Sequence, residues 1–398
     1  MSTLILKGGC VLSMDAGVGN QRGADVLVVD GVVAEVGTNI RARGAEEIDA
    51  SDAVVMPGFV DAHRHAGEAF ARHATDETAL SDYSADAVYA ATLVGLLSAA
   101  EAGITTVVDW CAFDGDGHAA AALQAHADSG LRTVFVSAPA DGDDGHRPVV
   151  PPSDLTRIAA GPPTPDSWAA ARTRGLRIHA HAVAGGPTVP PEMLGTDVTL
   201  THCTGLGTSD FDAIAASGAA VVLTPTSDMA DGTQPFPVQE LIDRGIRPGL
   251  GTGALRMASG DLFTQMRTVI SLQHAMYFER KLAGKPGLPR LLSTRDVIGY
   301  GTTAGAHAAG LGDVAGSIAP GRPADIVVLR TDRPNIMPVN DPIGAVVWGM
   351  DTSNVDTLLV QGRPLVRDGR LTADVDRARA LINPARSGRA AEPAGEAA

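Results

Sequence analysis

The chain has 398 residues, 44% of them hydrophobic, enough to bury a large core without division into many small modules. Its 31 basic and 46 acidic residues leave a net charge of -15. No Lys/Arg-rich run interrupts that balance, so nucleic acid and anionic membrane surfaces are poor partners for it.

In chain order, the opening Met1-Ser-Thr-Leu-Ile-Leu-Lys7 lacks the basic start, apolar stretch and cleavage site of a secretion signal. No apolar run approaches the ~18 residues of a membrane span, which predicts a cytoplasmic protein. Cys10, Cys111 and Cys203 are odd in number and far apart, arguing for buried thiols over a disulfide framework or a thiolate zinc site. Asp25 to Val36 reads as a hairpin turning at Asp30-Gly31, and the back of the chain repeats the pattern over Ala324–Leu329 and Val355–Gly369, with turns at Gln361-Gly362 and Asp368-Gly369. The two ends are expected to pair into one small β-sandwich made of residues 1–56 and 318–372.

Between them, over residues 57–317, short apolar runs alternate with Ala-rich helical stretches. That is the rhythm of βα units and a parallel sheet. Strand ends fall near His65, Asp109, Ala138, Gly161, His181, Cys203, Thr224 and Gly253. Eight such ends predict a closed (β/α)8 TIM barrel, with residues 373–398 as a mobile tail.

The chemistry-bearing residues cluster at those ends. His63 and His65 follow the run Val54 to Val60, His179 and His181 follow another, and His202 ends a third. Residues two apart on a strand share a face, so each pair can converge on one ion inside a barrel mouth. Three histidine-bearing strand ends in one βα region are hard to explain as core packing. Lys7, Lys281 and Lys285 are the only lysines and none lies at a strand end, so a bridging carboxylated lysine is excluded and the centre is mononuclear.

The stretch Met56-Pro-Gly-Phe-Val-Asp61-Ala-His63-Arg64-His65 resembles the first-strand motif of the amidohydrolase superfamily, in the branch of cytosine deaminases and triazine chlorohydrolases. Similar stretches run from Ala102–Asp109 to Gly316–Leu329, so the resemblance covers about residues 1–372. It implies His63, His65 and His181 as ligands of one divalent metal, zinc or iron, with His202 either a fourth ligand or a group that polarises the substrate. It also implies a small cyclic, nitrogen-containing or aromatic substrate, and a homodimer as the assembly common among relatives.

Two departures matter. Ala184 stands where the resemblance implies a proton-shuttling Glu, and Gly253 where it implies a metal-binding Asp. Neither can move a proton, and loss of an anionic ligand weakens an ion's hold or abolishes it. Asp228 and Glu68 are the substitute carboxylates, Asp109 has a structural reading, and Asp261 is the expected cap of the helix beginning at Leu262. Arg64 and Arg256 are the cations expected near the mouth. The leading expectation is a metal-dependent hydrolase whose protons move through Asp228 or Glu68. The alternatives are a lyase, dehydratase or cyclase on the same scaffold, using His202 and His179 beside a weak or absent metal, and a catalytically silent ligand-binding relative.

Overall fold

The computed structural model describes residues 2–73, 84–111, 117–137, 153–161, 165–186, 189–232 and 235–387. Five strands open the chain: β1 (Thr3–Leu12), β2 (Asn20–Val29), β3 (Val32–Gly37), β4 (Glu46–Asp49) and β5 (Ala53–Pro57). Eight parallel strands follow: β6 (Phe59–Arg64), β7 (Ile104–Cys111), β8 (Arg132–Ser137), β9 (Thr156–Ala160), β10 (Ile178–Val183), β11 (Val198–Thr204), β12 (Ala220–Leu223) and β13 (Gly249–Leu250). The chain closes with β14 (Ile326–Arg330), β15 (Val355–Val360), β16 (Arg363–Arg367) and β17 (Arg370–Leu371).

Strands β6 to β13 pair in sequence order, with helices in the connections. The expected ends match within about three residues; Ala138 itself lies outside the described residues. The ring closes from β13 back to β6, where Gly253 N donates to His63 O at 2.9 Å and His65 N to Gly253 O at 3.2 Å. Val60, Val108, Val134, Val136 and Ala159 fill the interior, and Ala306, Ala309 and Leu311 close it from below.

The second sheet draws on both ends of the chain, in the order β17-β16-β15-β14-β5-β1-β2-β3, with β4 also paired to β1. Its turns behave as read: Asp30-Gly31, Gln361-Gly362 and Asp368-Gly369 each place two consecutive residues at positive φ, the geometry whose twist matches the flanking strands. Leu4, Leu6, Val26 and Val28 from one limb pack with Val55, Ile326, Val328 and Leu359 from the other, so the sheet curls over one core.

The two bodies are tied by a buried ion pair. Arg132, at the start of β8, meets Asp325 with Nε–Oδ2 at 2.6 Å and Nη2–Oδ1 at 3.2 Å. Asp325 Oδ1 also accepts the Gln361 amide at 2.8 Å, and its carbonyl accepts Gly58 N at 3.0 Å. These bonds give the Asp of the Gly316–Leu329 stretch its physical role.

One expectation is corrected. Residues 373–387 are not a loose tail, because a helix spans Val375–Ser387 and buries Ala378 against Leu93 and Leu97 of the helix Ala85–Glu101. Asp374 Oδ1 accepts the Arg377 amide at 2.9 Å at its start. Among the residues of this helix whose side chains are described, Ala378 is the one fully buried. The rest of the predicted tail, 388–398, lies outside the described residues. Among the described residues no helix is long and apolar enough to cross a membrane.

Candidate metal centre

The C-terminal ends of the barrel strands bring four histidines together. His63 and His65 project from the end of β6 with their Nε2 atoms 3.2 Å apart. His181, from β10, lies 5.0 Å from His63 between ring centroids, and His202, from β11, lies 4.9 Å from His181. One ligand atom from each of His63, His181 and His202 falls within 4.8 Å of the others.

Period-two alternation places His181 above His179, but it does not place His63 or His202. On β6 Val60 faces the interior, so a regular strand would send His63 out; the register against β7 slips between Asp61 and Arg64, and this irregularity turns His63 inward. Val198, Leu200 and Cys203 pack outward against the helices, so Thr199 and Thr201 occupy the inner face and a regular strand would send His202 out. Instead His202 and Cys203 both take positive φ, 73° and 53°, and Cys203 has no partner on β10, whose Ala182 pairs with His202 and Val183 with Thr204. This bulge turns the His202 ring toward the others. Left-handed backbone at two non-glycine residues is costly and concentrates at functional sites.

Behind His202 stands Asp228, on the helix Pro225–Asp231. Its Oδ1 is 2.6 Å from His202 Nδ1 and accepts Thr224 Oγ1–H at 2.7 Å, while its Oδ2 accepts the Thr224 amide at 3.1 Å. The carboxylate therefore holds the proton on Nδ1 and leaves the His202 Nε2 lone pair facing the cluster. Glu68 sits on the short helical turn Ala66–Ala71, with Oε1 3.8 Å from His65 Nδ1 and Oε2 shielded from solvent without a hydrogen-bond partner.

The residues fit a divalent cation. Burial, reinforced by neighbouring histidine charge, pushes the pKa of His63 and His181 well below the usual imidazole range, so both present neutral lone pairs at neutral pH. His63 Nδ1 and His181 Nε2 are buried with no hydrogen-bond partner. Neutral imidazoles from separate strands are the donor type zinc takes.

Other expected site residues lie elsewhere. His179 is wholly buried two residues below His181 on the same face of β10; burial and then Arg177 push its pKa down to about 3, so it stays neutral a layer beneath the cluster. Arg64 is not a mouth cation: alternation with the inward His63 sends it outward, fully buried, to Asp61 Oδ2 at 3.0 Å, Thr252 Oγ1 at 3.1 Å, Gly95 O at 2.9 Å and Ser98 Oγ at 3.0 Å. Arg256 is half-buried. Asp109 is an anchor, accepting the Ala66 amide at 2.8 Å and meeting His126 Nε2 at 2.8 Å. Asp261 caps the helix Leu262–Leu282 through Thr264 N at 2.7 Å.

Trp110 was not among the expected site residues. It stacks on His181 at 4.1 Å and 25°, walling one side of the cluster. The inward alternation of Thr106, Val108 and Trp110 along β7 is the signal that points to it.

The two departures have structural counterparts. Ala184 gives only its backbone, N–H to Thr204 O at 2.9 Å. At Gly253, φ is +67°, and an added Cβ would lie 2.9 Å from Ser227 Cβ and 3.1 Å from Thr224 Cβ. A side chain there meets both backbone strain and a wall. Gly253→Asp is therefore expected to cost about 2–4 kcal/mol of stability rather than to restore a ligand. Urea unfolding checks this, and an unchanged midpoint with tighter metal binding would reverse it.

A model of the amidohydrolase family matches residues 54–159 and 167–365. The chain belongs to that family. Among its amidohydrolase relatives, a 5'-deoxyadenosine deaminase of Methanothermobacter thermautotrophicus is 28% identical over 411 residues, covering 90% of this chain and 92% of that protein. A 5-methylthioadenosine/S-adenosylhomocysteine deaminase of Pyrococcus furiosus is 25% identical, covering 87% and 91%. In fold the chain is similar to a triazine hydrolase variant (TM-score 0.82, 22% identity, 97% of this chain and 99% of that one). It is likewise similar to an adenosine deaminase from Xanthomonas campestris with bound zinc (TM-score 0.81, 18% identity, 97% and 99%). The protein is a hydrolase of the amidohydrolase superfamily, whose structures include zinc-bound members.

Proposed function

We propose that this amidohydrolase is a mononuclear metal enzyme that hydrolyses a C–N bond of a small cyclic, nitrogen-containing molecule, with a purine nucleoside as the first class to test. The observation that carries this reading is the convergence of imidazoles from β6, β10 and β11 at the barrel mouth. The substrate class rests on the deaminases named above.

In this reading His63, His65 and His181 hold the ion, zinc or iron, and His202 faces them with its Nε2 free. When bound, a divalent ion acts as a Lewis acid and lowers the pKa of water toward neutrality. The chain's own groups do the rest. His202 Nε2 takes a proton from the attacking water, and Asp228, bonded to Nδ1–H, stabilises the imidazolium that forms. The same Nε2–H then returns the proton to the departing amine. Trp110 holds the His181 ring in plane and keeps bulk water from that side. The His202–Asp228 pair thus performs the proton transfer that Ala184 and Gly253 cannot.

The test joins metal analysis to a substrate panel. Protein purified without chelator is expected to carry about one zinc or iron per chain, lost in His63→Ala, and to release ammonia from adenine nucleosides or from other cyclic amines in the panel. Full activity in metal-free protein, or a metal content unaffected by His63→Ala, would sink the proposal.

A further inference from the structure

The arrangement around His65 parallels that around His202 at longer range: Glu68 Oε1 stands 3.8 Å from His65 Nδ1, short of a hydrogen bond, where Asp228 Oδ1 is 2.6 Å from His202 Nδ1. Each is a partly exposed histidine of the cluster, each has its Nε2 edge toward the other imidazoles, and each has a carboxylate on its Nδ1 side. His63, the wholly buried member, has none: its Nδ1 finds no partner.

The carboxylate at His65 is Glu68, and the chain around it is firmly held. The His65 amide is bonded to Gly253 O, the Glu68 amide to His65 O at 3.1 Å, and the Ala66 amide to Asp109. From below, Gly95 of the helix Ala85–Glu101 approaches so closely that a Cβ there would come within 2.3 Å of Ala66 O. The side chain is thus delivered to one place, with Oε1 3.8 Å from His65 Nδ1 and Oε2 shielded yet without a donor. A shielded carboxylate oxygen without a donor is costly, and most such groups in folded proteins find a partner when the site is filled.

We propose that Glu68 is a positioning residue of the metal centre. Its carboxylate draws the His65 proton onto Nδ1, fixes the ring so that Nε2 addresses the ion, and supplies negative charge that no direct ligand provides. With Asp228 it gives the centre two carboxylates placed behind histidines, where the superfamily pattern put them on the strand ends now occupied by Ala184 and Gly253. A carboxylate behind a ligating imidazole raises its basicity, and removing one costs typically 10- to 100-fold in metal affinity.

This inference rests on the metal reading above, and its test separates the two. Zinc affinity is measured by competition with a chromogenic chelator for the wild-type protein, Glu68→Gln and Glu68→Asp. Thermal melting of each metal-free protein verifies that the fold is kept. The expected result is a 10- to 100-fold loss of affinity in Glu68→Gln, a smaller loss in Glu68→Asp, and a His65 tautomer in Glu68→Gln no longer fixed as Nδ1–H in nitrogen-15 spectra of the zinc-loaded protein. Wild-type zinc binding with Glu68→Gln within about twofold of it overturns the role of Glu68 while leaving the metal reading intact. No zinc binding by the wild-type protein overturns the metal reading and this inference with it.

Discussion

Asp228→Asn is expected to lower kcat by about 100- to 10,000-fold while leaving about one metal per chain. The asparagine keeps the volume, and with its oxygen in the place of Oδ2 it still accepts the Thr224 amide, while its NH2 can donate to Thr224 Oγ1. What is lost is the negative charge 2.6 Å from His202 Nδ1, which favours the imidazolium over the neutral ring. His202→Gln is expected to fall by a similar factor, and the double variant by little more than either alone, because the two side chains act as one unit. The discriminating measurement is metal content beside kcat. If metal is lost in parallel with activity, His202 is a fourth ligand that Asp228 orients, and the proton must move through another group.

Asp325→Ala, far from that chemistry, is expected to destabilise the protein by about 3–5 kcal/mol, the cost of leaving one partner of a buried ion pair alone. Arg132 is 8% exposed and Asp325 3%. Removing the carboxylate strands the guanidinium and also unpairs the Gln361 amide. Replacing both charges, as in Arg132→Met with Asp325→Leu, is expected to recover a large part of the loss, because the desolvation cost of both ions disappears together. Denaturant unfolding of the three variants measures this. A single-variant loss below about 1 kcal/mol would show that solvent reaches the pair.

Much of this molecule is legible in its residues because strand period and turn chemistry are local. Asp30-Gly31 and Gln361-Gly362 fix their hairpins by conformational preference alone. That His63 and His65 share a face, and His179 and His181 another, follows from alternation along two strands, although the slip of β6 against β7 between Asp61 and Arg64 decides that the first pair faces inward. The orientation of His202 does not, since it depends on a bulge whose cause lies in how β11 meets β10. Asp228 was legible as a carboxylate near the mouth, but its place behind His202 is set by the Thr224 turn, which converts a candidate proton carrier into the partner of one. Arg64 shows the reverse: it lies between two site histidines in sequence, and the pleat sends it to the opposite side. Gly253 was legible as a missing ligand, while the wall formed by Ser227 and Thr224 that bars a side chain there is a tertiary fact.

The pairing of β5 with β14 sets an order of events during synthesis. Pro57 lies opposite Ile326 and Val54 opposite Leu329, so the fifth strand emerges from the ribosome well before its neighbour is made. At translation speeds of roughly 5–20 residues per second the wait is on the order of 15–50 seconds. Throughout that interval β5 can pair with β1 on one side while its other edge, along Ala53-Val-Val-Met56, stays open, which makes this edge the natural client of a holding chaperone and the first suspect when overexpression yields inclusion bodies.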